Sequence, residues 1–234
     1  MSEQTILPVI AVLGGTGKEG KGLAYRWAKA GYRVIIGSRT TEKAQAAAAE
    51  LATLLSATPD TTMLLSPSIH IEGTDNLTAA QRADILVLTV PYTAHRATLE
   101  SIRESVQGKL LIDVTVPLVP SKVTKVQMPE AGSAALEARQ VLGEGVEVVD
   151  AFQNISYERL FTDEPVDCDV LVAGTSKIAR EQVLELVEAA GFTGWDAGPI
   201  ENTVVVEGLT SILIGLNKQY GSEYAGIKIT GIHK

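Results

Sequence analysis

The stretch Val9-Ile10-Ala11-Val12-Leu13-Gly14-Gly15-Thr16-Gly17-Lys18-Glu19-Gly20 decides the fold. Five apolar residues in a row predict a strand buried on both faces, and Gly15, Gly17 and Gly20 complete the pattern G-x-G-x-x-G directly after it. Beyond the turn, Leu23, Ala24, Trp27 and Ala28 recur at helical spacing. In a strand–turn–helix unit Gly15 is expected to make the tight turn, and Gly17 to let a pyrophosphate approach the backbone. Gly20 is expected to let helix and strand pack closely. The free N–H groups and the positive end of the helix dipole would hold the phosphates. The stretch predicts a dinucleotide site.

Working outward, the helix should end near Gly31, and Arg33-Val34-Ile35-Ile36-Gly37 predicts a second buried strand. An acidic residue about 20 positions after the start of the motif would accept hydrogen bonds from ribose hydroxyls and favour NAD. This chain has Gly37-Ser38-Arg39-Thr40 there, with no carboxylate. Ser38 and Arg39 suit a 2′-phosphate, and Lys43 lies one helical turn on, so the site is expected to prefer NADP(H).

The remainder alternates in the same way. Helices are predicted over Glu42 to Ala57, Asn76 to Ala83, around Leu99, Ile102 and Val106, and over Ala131 to Leu142. Strands are predicted at Ile69 to Ile71, Asp84 to Pro91, Lys109 to Val114, Val146 to Phe152 and Asp169 to Ala173, with Ser56 to Pro67 and Val119 to Met128 as loops. An amphipathic helix bears Ile178, Val183, Leu186 and Val187, and an extended piece runs from Phe192 to Gly198. From Glu201 on, Val205, Leu209, Ile212 and Leu216, with Val206 and Leu213, predict a final helix buried in a core or a subunit interface. Strands alternating with helices predict an α/β fold, a Rossmann-type doubly wound parallel sheet, with residues 1–148 as the nucleotide-binding domain and 149–234 as a small C-terminal α/β-helical domain. Ligands in such sheets sit at the C-terminal strand ends, here including Thr89 to Tyr92. Tyr92 is placed to lie against a ribose or adenine edge.

The 234 residues carry 28 Asp and Glu against 20 Lys and Arg, a net charge of -8. That balance argues against a nucleic-acid partner, which would need a clustered basic face. The longest apolar run, Leu209 to Leu216, falls far short of the roughly 20 residues that span a bilayer, and the N-terminus lacks the basic region of a secretory signal. A cytoplasmic protein with no membrane partner is expected. The one cysteine, Cys168, sits between Asp167 and Asp169, which disfavour a thiolate, and reads as structural.

His70, His95 and His233 pair with no cysteine or carboxylate at metal-ligand spacing, so no metal site is expected. His95 reads as a solvent-side residue after the fourth strand, and Lys218 as a surface residue. No catalytic acid–base pair is visible. Ketone reduction needs a proton donor beside the developing oxyanion, whereas hydride exchange between two planar heterocycles mainly needs the rings stacked at the right distance. The second reaction fits better.

The chain resembles the coenzyme F420-dependent NADP oxidoreductases. The resemblance runs through Leu13 to Gly17 with Gly20 to Ala24, Ile36 to Arg39 with Glu42-Lys43-Ala44, Val87 to Tyr92, Pro117 to Pro120 and Ser133 to Ala135. It closes on Asp196-Ala197-Gly198-Pro199-Ile200-Glu201-Asn202 and Gly226-Ile227-Lys228, the more specific segments. It implies hydride transfer between NADP(H) and the deazaflavin coenzyme F420. Thr16, Gly17, Lys18 and Glu19 would cradle the pyrophosphate, with Ser38, Arg39 and Lys43 on the 2′-phosphate. Thr89, Val90, Pro91 and Tyr92 would line the nicotinamide side. Gln153, Asn154, Ile155, Ser156 and Tyr157, with Ala225, would cover the deazaflavin, and the protein would be a homodimer. The departures fall in that second pocket, where relatives carry His or Asn followed by Thr-Ile and a larger apolar residue in place of Ala225. Two other readings stay open: an NADPH-dependent reductase of a flavin or a small carbonyl compound, with Tyr92, His95 or Tyr157 as proton donor, and a non-catalytic NADP(H) sensor.

Overall fold

A computed structural model of the chain describes residues 7–57, 70–162 and 164–232. Strand β1 (Ile10–Leu13) is buried at every position. Its alternate side chains enter two separate cores: Ile10 and Val12 join one, Ala11 and Leu13 the other. A strand can be apolar throughout only when helices cover both faces of its sheet, as they do here. Helix α1 (Lys18–Lys29) follows. It ends against Gly31, whose φ of 92° is readily available only to glycine.

Strands β2 (Val34–Ser38), β3 (Ile71–Asp75), β4 (Ile85–Leu88), β5 (Leu110–Asp113) and β6 (Glu147–Asp150) extend the sheet. Helices α2 (Thr41–Ala57), α3 (Asn76–Arg82), α4 (Tyr92–Ile102) and α5 (Ala134–Leu142) connect them. The strand order is β3-β2-β1-β4-β5-β6-β7-β8. Its first six strands are all parallel, which is the dinucleotide-binding order with the chain reversing direction between β1 and β4. The chain therefore has the expected Rossmann-type architecture. Strand β7 (Asp169–Gly174) runs antiparallel to β6, and β8 (Thr193–Pro199) is parallel to β7, with α6 (Lys177–Ala189) between them. The sheet is thus continuous through the expected boundary near residue 148.

The third strand begins at Ile71 rather than ending there, and the expected loop to Pro67 and Ile69 lie, from residue 58 on, outside the described residues, as does His233. The helix expected from Ala131 starts at Ala134, because the Ser133 hydroxyl caps it by accepting from the Leu136 N–H at 3.0 Å. In α6, Ile178 faces outward, while Ala179, Val183, Leu186 and Val187 form the buried face.

The last helix, α7 (Thr203–Tyr220), departs from its sequence reading. The stripe expected to be buried is largely outside: Val205 is 60% and Ile212 50% exposed. Val206, Glu207, Ser211 and Leu213 face inward instead. The inner face meets turn backbone and polar side chains rather than an apolar core, so the helix is turned with its polar groups in and much of its aliphatic surface out.

The halves meet on α1. Trp27 is fully buried, donates its indole N–H to the Leu186 carbonyl of α6 at 2.9 Å, and packs edge-on against Phe152 with centroids 5.7 Å apart. Trp27→Ala is expected to cost about 3–5 kcal/mol in urea unfolding, the range for an aromatic removed from a core. A loss below about 1 kcal/mol would show that this contact does not join the halves.

Candidate functional site

The turn after β1 is built so that side chains are excluded. The positive φ lies at Gly14 (73°), one residue before the glycine expected to make the bend. A Cβ on Gly15 would stand 2.6 Å from the Val12 carbonyl oxygen, so Gly15 is needed for close packing within the turn. Gly20 has the role read from the motif: a Cβ there would stand 2.5 Å from the Thr89 hydroxyl and 2.7 Å from the Gly15 Cα. Gly17 differs from both. Its Cβ would meet only the Gly14 oxygen, at 3.7 Å, which leaves open space before the helix. Gly17 also occupies the N-cap position of α1 with no side chain to cap it, so the first-turn N–H groups face that space uncapped. Asn76 buttresses the turn, accepting from the Gly14 N–H at 3.2 Å.

Thr89 and Val90 reach this turn. The Thr89 hydroxyl donates to the Leu13 carbonyl at 3.0 Å, and Val90 lies against Gly14. Ser38 is buried at the end of β2, while Arg39 and Lys43 beyond it are exposed and form no ion pair among the described residues. Pro91 is exposed at the start of α4. Tyr92 turns away toward α5, donating to Glu137 at 2.7 Å and lining a second cleft of about 470 Å³ with Arg96 and Gln140.

Lys18 joins the glycine turn to the segment after β6. Its ammonium donates to the Tyr157 hydroxyl at 3.1 Å, lies 4.5 Å from the centre of that ring, and approaches Glu158 at 3.9 Å. Lys18, Tyr157, Lys21, Tyr25, Leu54 and Phe161 line a cleft of about 520 Å³. Burial pushes the Glu19 carboxyl up to about 8, so a group beside the open end of the turn is largely neutral at pH 7.

Residues 152–157 leave the end of β6 through a strained start: Phe152 has φ 75°, unusual for a side chain of this bulk. Gln153 donates to the Asp113 carbonyl at 2.6 Å, and the Asn154 amide donates to the Val206 carbonyl at 3.1 Å and the Thr210 hydroxyl at 3.0 Å. Gln153, Asn154 and Ile155 are buried, Ser156 is half-buried, and Tyr157 is exposed. Ala225 lies on the returning tail, where its N–H donates to Asn217 at 2.9 Å. The tail reaches this turn through its neighbours: Tyr224 lies 5.4 Å from the Arg159 guanidinium, and Gly226 packs on Cys168, whose thiol donates to the Asn154 carbonyl at 3.7 Å.

Beside the turn after β6 lies a polar cluster that sequence reading missed. Asp113 and Asp150 are register partners at the ends of β5 and β6, and His95, Asp113, Asp150 and Glu207 are completely buried. His95 is therefore not a solvent-side residue; the first turn of α4 points it inward, with Nε2 2.7 Å from Asp113 and Nδ1 3.8 Å from Glu137. Burial works against a charged ring, but Asp113 and Glu137 outweigh it and hold the imidazole above its ordinary pKa. Glu207 accepts from the Ala134 and Ala135 N–H groups at the start of α5, at 2.8 and 3.1 Å. Burial still pushes its carboxyl up to about 7, and Asp150 is raised well above the usual range by burial, Glu207 and Asp113. The available signal was an Asp closing each of two apolar strands and one Glu inside an apolar helix; side-chain spacing along the chain carries no hint that they meet. Among the described residues no group of three or more His, Cys, Asp and Glu is arranged to hold a metal, and no helix is long and apolar enough to cross a membrane.

The family described as NADP oxidoreductase, coenzyme F420-dependent, matches residues 9–117. An F420-dependent NADP reductase of Methanothermobacter thermautotrophicus is 42% identical over 229 residues, covering 95% of each chain. The chain belongs to the F420-dependent NADP reductase family. A second member, from Methanocaldococcus jannaschii, is 38% identical and covers 95% of this chain and 98% of its own. A crystal structure provisionally assigned as an F420-dependent NADP-reductase from Arthrobacter sp. superposes with a TM-score of 0.75 at 25% identity, covering 96% of this chain and 100% of that one. The glycine turn falls within the matched segment, and the buried carboxyl cluster draws on residues both inside it, His95 and Asp113, and beyond it, Asp150 and Glu207.

A carboxyl raised by folding binds its proton more tightly in the folded state, so its stabilisation is complete below the unfolded value of 4.5 and is lost as pH rises through about 7. Glu207→Gln has no such proton to lose. The melting temperature of the natural protein is therefore expected to fall relative to that of Glu207→Gln between pH 5 and pH 8. Parallel melting curves across that range would show that Glu207 is already ionised in the fold.

Proposed function

We propose that the chain is an NADP-dependent oxidoreductase that passes a hydride between NADP(H) and coenzyme F420. What carries the reading is 38–42% identity over 95% of the chain to F420-dependent NADP reductases. The local arrangement supports it: an uncapped glycine turn lies in contact with Thr89 and Val90, and Lys18 ties that turn to Tyr157 of the second turn.

In this reading Gly15, Thr16, Gly17, Lys18, Glu19 and Gly20 form the pyrophosphate cradle. Space at Gly17 and the uncapped N–H groups suit phosphate oxygens. Ser38, Arg39 and Lys43 recognise the 2′-phosphate, for which two exposed cations without an ion pair among the described residues are suited. Thr89, Val90 and Pro91 border the nicotinamide, and Tyr92 braces that border through Glu137 rather than touching the ring. Gln153 to Tyr157 and the tail near Ala225 cover the deazaflavin. Bound there, the two rings supply the hydride chemistry themselves; the protein aligns them and excludes water. The outward aliphatic face of α7, with Val205, Ile212 and Leu216, is the surface on which a second copy of the chain docks to form a homodimer.

Mixing the protein with NADPH and F420 should change the spectra of both, and no change in either direction would overturn the reading. Activity with free flavin or an aldehyde alone, or tight binding of NADP(H) without turnover on any acceptor, would select the other two readings. Arg39→Ala is expected to weaken NADPH by about 1–3 kcal/mol, the scale of a lost contact to a charged group, and to leave NADH nearly unchanged. Equal losses for both nucleotides, measured by equilibrium titration, would make Arg39 a surface charge. Ionised Glu19 repels phosphate, so NADP(H) affinity should fall as pH rises through about 8, and Glu19→Gln should flatten that fall.

A further inference from the structure

A second glycine of α1 admits a neighbour as closely as Gly20 does. A Cβ on Gly22 would stand 2.5 Å from the Leu160 Cβ, so the segment after β6 lies directly on the helix there. Arg26 reinforces this contact, donating to the Arg159, Leu160 and Thr162 carbonyls at 2.8 to 3.0 Å. The Tyr25 and Phe161 rings meet beside it with centroids 5.6 Å apart. Together these contacts hold the short 3₁₀ turn Tyr157–Arg159 against α1 and set Tyr157 beside Lys18, the first residue of the helix. The direction of the hydrogen bond between those two decides what the pair can do. An ammonium only donates, so Lys18 gives a hydrogen to the Tyr157 oxygen at 3.1 Å. The hydroxyl hydrogen of Tyr157 is left over, and no acceptor for it lies among the described residues. Glu158, at 3.9 Å, is beyond hydrogen-bonding distance of the ammonium, which keeps further hydrogens of its own. Both side chains are exposed and line the same cleft of about 520 Å³. Two adjacent donors, one of them charged, thus face open space with hydrogens to spare.

We propose that the Lys18 ammonium and the Tyr157 hydroxyl together bind a phosphate group. Ionised phosphate oxygens accept from both donors at once and carry the charge that Lys18 matches. The inference rests on the reading of the protein as an enzyme of NADP(H) and F420. Those ligands offer two sources of the group: the nucleotide pyrophosphate and the phosphate on the F420 side chain. The proposal gives the Tyr157 hydroxyl a binding role apart from covering the deazaflavin. It also gives Gly22 a reason, since a side chain there would push Tyr157 and its segment away from Lys18.

Lys18→Met and Tyr157→Phe each delete one donor from an exposed side chain and keep most of its bulk. Equilibrium titration compares each ligand with a counterpart that lacks the phosphate in question. NADP+ is set beside adenosine 2′-phosphate, and F420 beside the deazaflavin whose side chain ends before the phosphate. Each variant should weaken at least one of NADP+ and F420 about tenfold, the scale of a hydrogen bond to a charged group, and leave its counterpart within about twofold. A loss on NADP+ assigns the pyrophosphate to the pair, and a loss on F420 assigns the side-chain phosphate. Unchanged affinity for both NADP+ and F420, equal losses on a ligand and its counterpart, or a loss in Lys18→Met alone overturns the paired site. Failure of the natural protein to bind NADP+ and F420 overturns the underlying reading instead.

Discussion

Much of the structure depends on how closely α1 can approach the sheet. At Gly20 there is no room for even a methyl group between the helix, Thr89 and the turn backbone. That approach brings the end of β4 against the glycine turn. It also sets α1 deep enough for its inner face to become the common wall of the molecule. Trp27 bonds the α6 backbone, and Arg26 donates to the Leu160, Ala190, Arg159 and Thr162 carbonyls at 2.8 to 3.0 Å. Removing the guanidinium would orphan four carbonyls that belong to two different segments. One helix therefore carries the glycine turn at its N-terminus and holds the second turn along its length.

The polar interior follows from the same geometry. Parallel strands deliver their C-terminal residues to one edge of the sheet, so Asp113 and Asp150 arrive side by side there. Two such carboxyls beside Glu207 cannot all remain ionised without water. The fold meets this by keeping protons, by aiming Glu207 at the N–H groups that open α5, and by setting His95 against Asp113. Helix α7 is turned by this demand. Its one buried carboxyl and its hydroxyls face the cluster and the turn, and aliphatic side chains that would suit a core are left outside.

Lys18 illustrates how a motif side chain can be engaged by a distant segment. It falls in the glycine turn, and its ammonium is engaged by Tyr157 and Glu158. Tyr92 behaves likewise, with its hydroxyl committed to Glu137. Both side chains are long enough to reach either of two environments, and only the placement of a distant segment decides between them.

The sequence by itself determined the fold class, because that information is local and periodic. Apolar runs such as Ile85 to Leu88 define buried strands, the glycine pattern defines the turn, and Ser38-Arg39 in place of a carboxylate points to the extra phosphate of NADP. It also determined the family, through segments such as Asp196 to Pro199. Tertiary structure alone decided that Gly14 bends the turn, that His95 is buried with Asp113, that α7 exposes its aliphatic stripe, and that the Asn154 amide donates to Val206 and Thr210 of that helix. Each of these depends on groups that are far apart along the chain, Asn154 and Thr210 by 56 residues. Hydrogen-bond complementarity between such groups leaves no period or composition to read, and burial by a distant element overrides what a lone histidine or an apolar helix would otherwise do.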